Sequence, residues 1–200
     1  TAGVTIFHQR ATVADPHTVR LADGRNITTR HILIATGGTP FVPEPYADLG
    51  AMTSNDLFLL DRLPNSMLVL GGGFIACETA CILQGLGVQV TQMYRGRQIL
   101  RGFDQDLQEH VAAAITQQGV KLEVNTNLTS LEKLADGRFR ATCTQGRTRV
   151  HDAVLFATGR RPNVDGLGLA EAGVALAGNG AVVVDEYSQT NIPSIYAVGD

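Results

Sequence analysis

Apolar residues in this chain fall into two rhythms. Met67 to Leu70, Val88 to Tyr94, Val120 to Val124 and Ala153 to Ala157 are short runs of strand length. Ile32 to Thr36 is another, and it ends at Gly37-Gly38. Between Asp104 and Gln118 the apolar residues Leu107, Val111, Ala114 and Ile115 keep a helical period, which Gly119 closes. A second helical pattern begins near Phe74, so strand and helix alternate through the centre of the chain. That alternation predicts an α/β fold built on a parallel sheet.

The flanks read differently. Val4 to Val13 and Thr18 to Leu21 are predicted as short strands, with Ala22-Asp23-Gly24-Arg25 as the turn between them. Pro40, Pro43 and Pro45 break regular structure and mark a linker, and Asn55 to Arg62 is predicted as a short helix ahead of Pro64. Leu128 to Leu134, Arg138 to Thr144 and Arg147 to Val150 form an antiparallel meander, with turns at Asp136-Gly137 and Gln145-Gly146. After Pro162 come a loop region, a strand at Ala181 to Val184, and a closing run from Ile195 to Asp200. The segments ILIATG (Ile32 to Gly37) and VLFATG (Val154 to Gly159) nearly repeat one another, as two related nucleotide-binding units would.

The chemistry concentrates between Met67 and Asp104. Gly71-x-Gly73-x-x-Ala76 follows a strand and opens a helix, in the G-x-G-x-x-G/A pattern of a dinucleotide-binding turn. Gly71 permits the tight turn, Gly73 lets a pyrophosphate approach the backbone, and small Ala76 lets helix and strand pack closely. The amides at the helix start would face the phosphates. Taken alone the pattern also suits an ordinary βα turn. NAD-binding versions usually place an acidic residue about 20 positions on, to accept from the ribose 2′-hydroxyl. Here Tyr94 and then Arg95 occupy that place. A carboxylate would repel a 2′-phosphate, whereas the guanidinium groups of Arg95 and Arg101 can each donate paired hydrogen bonds to one. The pattern therefore reads NADPH over NADH, the alternative being that Arg95, Arg97 and Arg101 are solvated loop charges.

Composition narrows the class without naming it. Two hundred residues with 44% hydrophobic content can bury a real core. A net charge of -3 gives no reason to expect nucleic acid, and no apolar run approaches the roughly 20 residues that span a bilayer. Cys77, Cys81 and Cys143 are an odd, sparse set, pointing to free thiols in a reducing cytoplasm. Cys77 and Cys81 share a helix face, which raises a redox pair or half a metal site as alternatives to small buried residues. No metal site is expected.

Five ordered anchors carry a family resemblance: ILIATGG at Ile32 to Gly38, GGGFIACE at Gly71 to Glu78, Tyr94-Arg95 with LRGFD at Leu100 to Asp104, ATGRRPN at Ala157 to Asn163, and IYAVGD at Ile195 to Asp200. With them the chain resembles the two-dinucleotide flavoprotein disulfide reductases, and within these the glutathione reductase branch. The resemblance implies a Rossmann-like NAD(P)-binding domain of parallel sheet, helices and antiparallel β-meander, flanked by partial FAD-domain segments. It implies part of an FAD-binding domain in residues 1–40, the NADPH-binding domain in 41–161 and a return segment in 162–200. Dihydrolipoyl dehydrogenases are similar elsewhere but carry an acid where Tyr94 stands.

The resemblance also distributes roles. Gly72 and Ile75 would line the pyridine nucleotide, Phe74 would cover the flavin until the nicotinamide arrives, Arg95 and Arg101 would hold the 2′-phosphate, and Gly159 would contact the cofactor by backbone. Glu78 is the candidate catalytic side chain, near the nicotinamide carboxamide; a helix-dipole role for a first-turn Glu is the alternative. Thr36 and Gly37 would approach FAD, and Asp200 would accept from its ribityl chain. Phe74 stands where a tyrosine is usual, so it keeps a ring able to stack and lacks the hydroxyl. The chain carries no upstream FAD fingerprint, no C-x4-C redox pair and no C-terminal histidine segment. It is therefore expected to be a segment of a homodimeric enzyme that reduces glutathione disulfide, without turnover by itself. A non-catalytic NADPH-binding module, the same segment of a mercuric or trypanothione-type reductase, and dihydrolipoyl dehydrogenase are the alternatives.

Overall fold

The computed structural model describes residues 3 to 199. In chain order its elements are β1 (Ala11–Asp15), β2 (Thr18–Leu21), β3 (Asn26–Thr28), β4 (Ile32–Ile34), β5 (Gly38–Pro40), a 3-10 turn (Ala47–Leu49), α1 (Ser54–Leu57), β6 (Ser66–Leu70), α2 (Phe74–Gly85) and β7 (Gln89–Met93). There follow α3 (Gln105–Gln117), β8 (Lys121–Glu123), β9 (Leu128–Lys133), β10 (Phe139–Cys143), β11 (Thr148–His151), β12 (Ala153–Phe156), β13 (Arg160–Pro162) and β14 (Ile195–Ala197). The chain divides into a contiguous central unit, Pro40–Arg160, and a flanking unit made of the stretches that end at Thr39 and begin at Arg161.

The central unit is an α/β fold around a parallel sheet in the order β12-β6-β7-β8. Parallel neighbours need a crossover, and α2 and α3 supply the crossovers from β6 to β7 and from β7 to β8. β6 alternates between two cores. Met67 and Val69 pack with Ala76, Cys77, Ala80 and Leu83 of α2, whereas Leu68 and Leu70 pack with Leu131, Phe139, Ala141 and Cys143 of the meander. That is why Met67 to Leu70 is continuously apolar: helices cover one face of the strand and the β11-β10-β9 sheet covers the other. Met52 adds to the free edge of β12, donating to Val154 and accepting from Phe156.

Both long helices have legible ends. The Asp104 carboxylate caps α3 by accepting from the backbone of Asp106 at 2.9 Å, and Gly119 takes a positive φ of 98° just beyond its C-terminus. α2 starts at Gly73 with no side-chain cap, so its first amides are left for something else.

The flanking unit holds the antiparallel β1-β2-β3 meander and the parallel pair β4-β14. Val13, Ile32, Ile34, Leu169, Val174 and Ile195 form its core. Several expectations shift here. The first strand begins at Ala11 and not Val4, because Val4 and Ile6 are exposed. The Ala22 to Arg25 turn joins β2 to β3, and Pro16-His17 joins β1 to β2. β4 ends at Ile34, with Leu33 exposed, so it is half-buried. Ala181 to Val184 is no strand; it makes one bridge, Leu176 with Val182. In the central unit the expected helix Asn55 to Arg62 contracts to α1, held by a Thr53–Asp56 capping box and followed by exposed Phe58 and Leu59.

Candidate functional site

At the C-terminal ends of the parallel strands, where open α/β sheets bind ligands, the central unit has a cavity of about 960 Å³. Gly71, Gly72 and Gly73 line it from the β6–α2 turn, Tyr94, Arg95, Gly96 and Arg101 from the segment after β7, and Ala157, Thr158 and Gly159 from beyond β12. Six of the sequence-predicted residues are thus brought together: Gly71, Gly72, Gly73, Arg95, Arg101 and Gly159.

Each glycine has a separate reason to be one. Gly71 has φ of +145°, and a Cβ there would overlap the Ala157 carbonyl. At Gly72 a Cβ would stand 2.5 Å from Cγ of Tyr94. A Cβ on Gly73 would meet no protein atom within 4 Å, so it would only fill the open space in front of the helix amides. That cradle suits a phosphate.

The Tyr94 ring is wedged between two backbones, since a Cβ at Gly96 would also meet it at 2.5 Å. The surrounding loop is tied down: Leu100, at φ of +57°, donates its N–H to the Gly72 carbonyl at 2.6 Å, and Asn125 donates to Gly96 at 2.9 Å. Arg101 therefore follows directly on a residue bonded to the glycine turn. Arg95 and Arg101 are exposed, and neither guanidinium has a hydrogen bond or ion pair among the described residues. Among the described residues no carboxylate lines the cavity. Unpaired guanidinium groups beside uncapped helix amides are suited to phosphate oxygens.

The remaining predicted residues lie elsewhere. Phe74, Ile75 and Glu78 sit on the first turns of α2 but do not line the cavity; Phe74 is 55% exposed and Glu78 is exposed. Thr36 and Gly37 line a smaller recess of about 140 Å³ in the flanking unit, at the ends of β4 and β14, and Asn163 donates to both carbonyls. Asp200 lies outside the described residues.

Sequence reasoning missed part of the cavity wall: Phe41, Pro43 and Tyr46, and Thr126, Asn127 and Leu128. Tyr46 stacks on Phe156 with ring centroids 5.7 Å apart. Phe41 donates to the Gly159 carbonyl at 3.0 Å, and the Thr158 hydroxyl donates to the Phe41 carbonyl at 2.7 Å. Two chain segments far apart in sequence thus close one side of the cavity.

The cysteines form no disulfide, and no cluster among the described residues could hold a metal ion. Burial pushes the Cys77 and Cys81 thiols above the ordinary range. No helix among the described residues is long and apolar enough to cross a membrane.

Comparison with known proteins gives the fold and cavity a family. Residues 1–200 match the pyridine nucleotide-disulphide oxidoreductase family. The chain belongs to that family. It is 45% identical over 200 residues to a glutathione reductase of Burkholderia cepacia, covering all of this chain and 44% of that one. It is 42% identical to a glutathione reductase of Nostoc, covering all of this chain and 46% of that one. Among solved structures, the HOCl-induced flavoprotein disulfide reductase RclA of Escherichia coli superposes with a TM-score of 0.89 at 28% identity, over 98% of this chain and 45% of that one. The chain thus spans a little under half the length of these relatives.

Proposed function

We propose that this chain is the NADPH-binding segment of a flavoprotein disulfide reductase of the glutathione reductase type. One observation carries the reading: Arg95 and Arg101, whose guanidinium groups have no partner among the described residues, stand at a glycine-lined cavity that no described carboxylate lines. Pro40–Arg160 would be the NADPH-binding domain, and the flanking stretches would be parts of the FAD domain.

In the complete enzyme the two cofactors supply hydride transfer from nicotinamide to flavin, and the electrons go on to a disulfide such as glutathione disulfide. This chain's residues do the binding and orienting. Gly73 and the first amides of α2 accept the pyrophosphate without obstruction. Arg95 and Arg101 hold the 2′-phosphate, and that remote binding energy fixes the position of the reacting ring. Phe74, exposed at the start of α2, and Glu78, exposed one turn further on, would serve the nicotinamide end. Thr36 and Gly37 present backbone to FAD. The redox cysteine pair belongs to another part of the protein, so the chain alone turns over no disulfide.

Titration with NADPH and NADH at one ionic strength, beside the Arg95→Ala/Arg101→Ala protein, tests the assignment. NADPH binds more tightly to the parent chain, and the double change brings it down to the NADH value. Equal affinity for the two nucleotides in the unchanged chain overturns the reading.

A further inference from the structure

Beneath the glycine turn lies a side chain that the family pattern does not explain. Gln92, next to the C-terminal end of β7, is fully buried. Its amide nitrogen donates to the Gly71 carbonyl at 3.1 Å and lies 3.5 Å from the Cys77 sulfur, while its Oε1 has no partner. A primary amide sealed in an apolar sheet with one oxygen orphaned costs stability that an apolar residue there would not. The opposite amide orientation would set Oε1 against the Gly71 carbonyl oxygen, so the donor must face the turn.

The consequence follows from peptide geometry. In a trans peptide the C=O and the next N–H point in opposite directions. The Gly71 N–H is already held by the Met93 carbonyl at 3.0 Å, and Gln92 draws the Gly71 carbonyl inward. The N–H of Gly72 is thereby turned outward on the cavity side, and it has no acceptor among the described residues. Rotating that peptide would aim a carbonyl dipole at an incoming pyrophosphate. The Gly72 carbonyl, in the next peptide of the turn, receives Leu100, next to Arg101, so the glycine turn and the arginine loop are hydrogen-bonded to one another.

We propose that Gln92 is a positioning residue for dinucleotide binding: it locks the Gly71–Gly72 peptide with its N–H directed at the pyrophosphate. The proposal rests on the nucleotide-binding reading above. It assigns to a strand residue outside the glycine motif the task of keeping that motif in its anion-binding form.

The test measures NADPH and NADH affinity of the full chain and of Gln92→Met, Gln92→Glu and Arg101→Ala, together with thermal midpoints. Gln92→Met keeps the volume, removes the donor to the Gly71 carbonyl and removes the orphaned oxygen with it, so the two effects offset and its midpoint stays close to that of the parent chain. Its affinity for both nucleotides falls by the same factor, about fivefold for a hydrogen bond of ordinary strength. Arg101→Ala loses affinity for NADPH alone. At position 92 a buried glutamic acid is protonated near neutrality and can donate as the amide does. Gln92→Glu therefore binds like the parent chain at pH 6.5 and loses affinity as the pH rises to 9, a change that Gln92→Met does not show. The proposal is overturned if Gln92→Met binds within twofold of the parent chain, or if Gln92→Glu is flat with pH. A folded parent chain that binds neither nucleotide overturns the underlying reading as well, which separates the two failures.

Discussion

Replacing Gly72 by alanine tests the packing of the site without any ligand. The new Cβ would stand 2.5, 2.6 and 2.6 Å from Cγ, Cδ1 and Cδ2 of Tyr94. These are the root of the ring, not a flexible tip, so a small torsional adjustment cannot move them away. Retreat is blocked too, because the tip of the ring is against Gly96 and the Tyr94 backbone is pinned by Glu123 and Thr126 at 2.9 and 3.0 Å. Overpacking of this kind costs about 1–3 kcal/mol, and the blocked retreat puts Gly72→Ala in the upper half of that range. In a Tyr94→Ala background the ring is gone and the same methyl should cost less than about 0.5 kcal/mol, leaving a coupling of roughly 1.5–2.5 kcal/mol. Urea unfolding of the four proteins, followed by circular dichroism, gives each free energy. If Gly72→Ala costs the same in both backgrounds, the wedge of ring between glycines does not exist as described.

Two further outcomes follow from buried groups. Burial works to raise the Glu123 carboxyl, but its contacts with Arg149 and Arg147 overcome that and leave it below its ordinary value, while burial first and Arg149 second lower His151. Both groups bind protons more readily when unfolded, so stability is full above the unfolded values and is lost on acidification, first below about pH 6.5 through His151 and then below about pH 4.5 through Glu123. Thermal midpoints across pH 3 to 8 should show both declines, with His151→Gln flattening the upper one and Glu123→Gln the lower; unchanged profiles in both variants would refute the assignment. The raised thiols of Cys77 and Cys81 should stay protonated, so native protein at pH 7.5 is alkylated by iodoacetamide far more slowly than unfolded protein, as peptide mass spectrometry would read. Rapid labelling of Cys77 in native protein would contradict its burial.

The sequence was most readable where one element supplies its own explanation. β6, α2, β7, α3 and the three-stranded meander could be found from periodicity and turn residues, since each buries a patterned face of its own. It misled where an apolar run lacks a neighbour: Val183 and Val184 are β-branched but 46% and 41% exposed, with only one bridge nearby at Val182. Propensity says that a strand would suit such residues, not that a partner strand is present. The site divides in the same way. Its glycines and arginines belong to a local motif, whereas Tyr46, Thr126 and Gln92 enter it only through tertiary packing. Gln92 sits in a strand that is buried from Val90 to Met93 and whose other glutamine, Gln89, is exposed, and nothing local separates the two.

The hydrogen bond from Phe41 to Gly159 also bears on how the chain assembles. β4 and its parallel partner β14 are separated by about 160 residues of chain. While the intervening chain is unfolded, the two must find each other across a very long loop. Once Pro40–Arg160 has folded, Phe41 and Gly159 are held together and the loop is about fourfold shorter, which lowers its closure entropy by roughly 1 kcal/mol. The central unit thus serves as a clasp, and until it closes, the exposed edge of Ile32–Ile34 is open to pairing with the wrong chain.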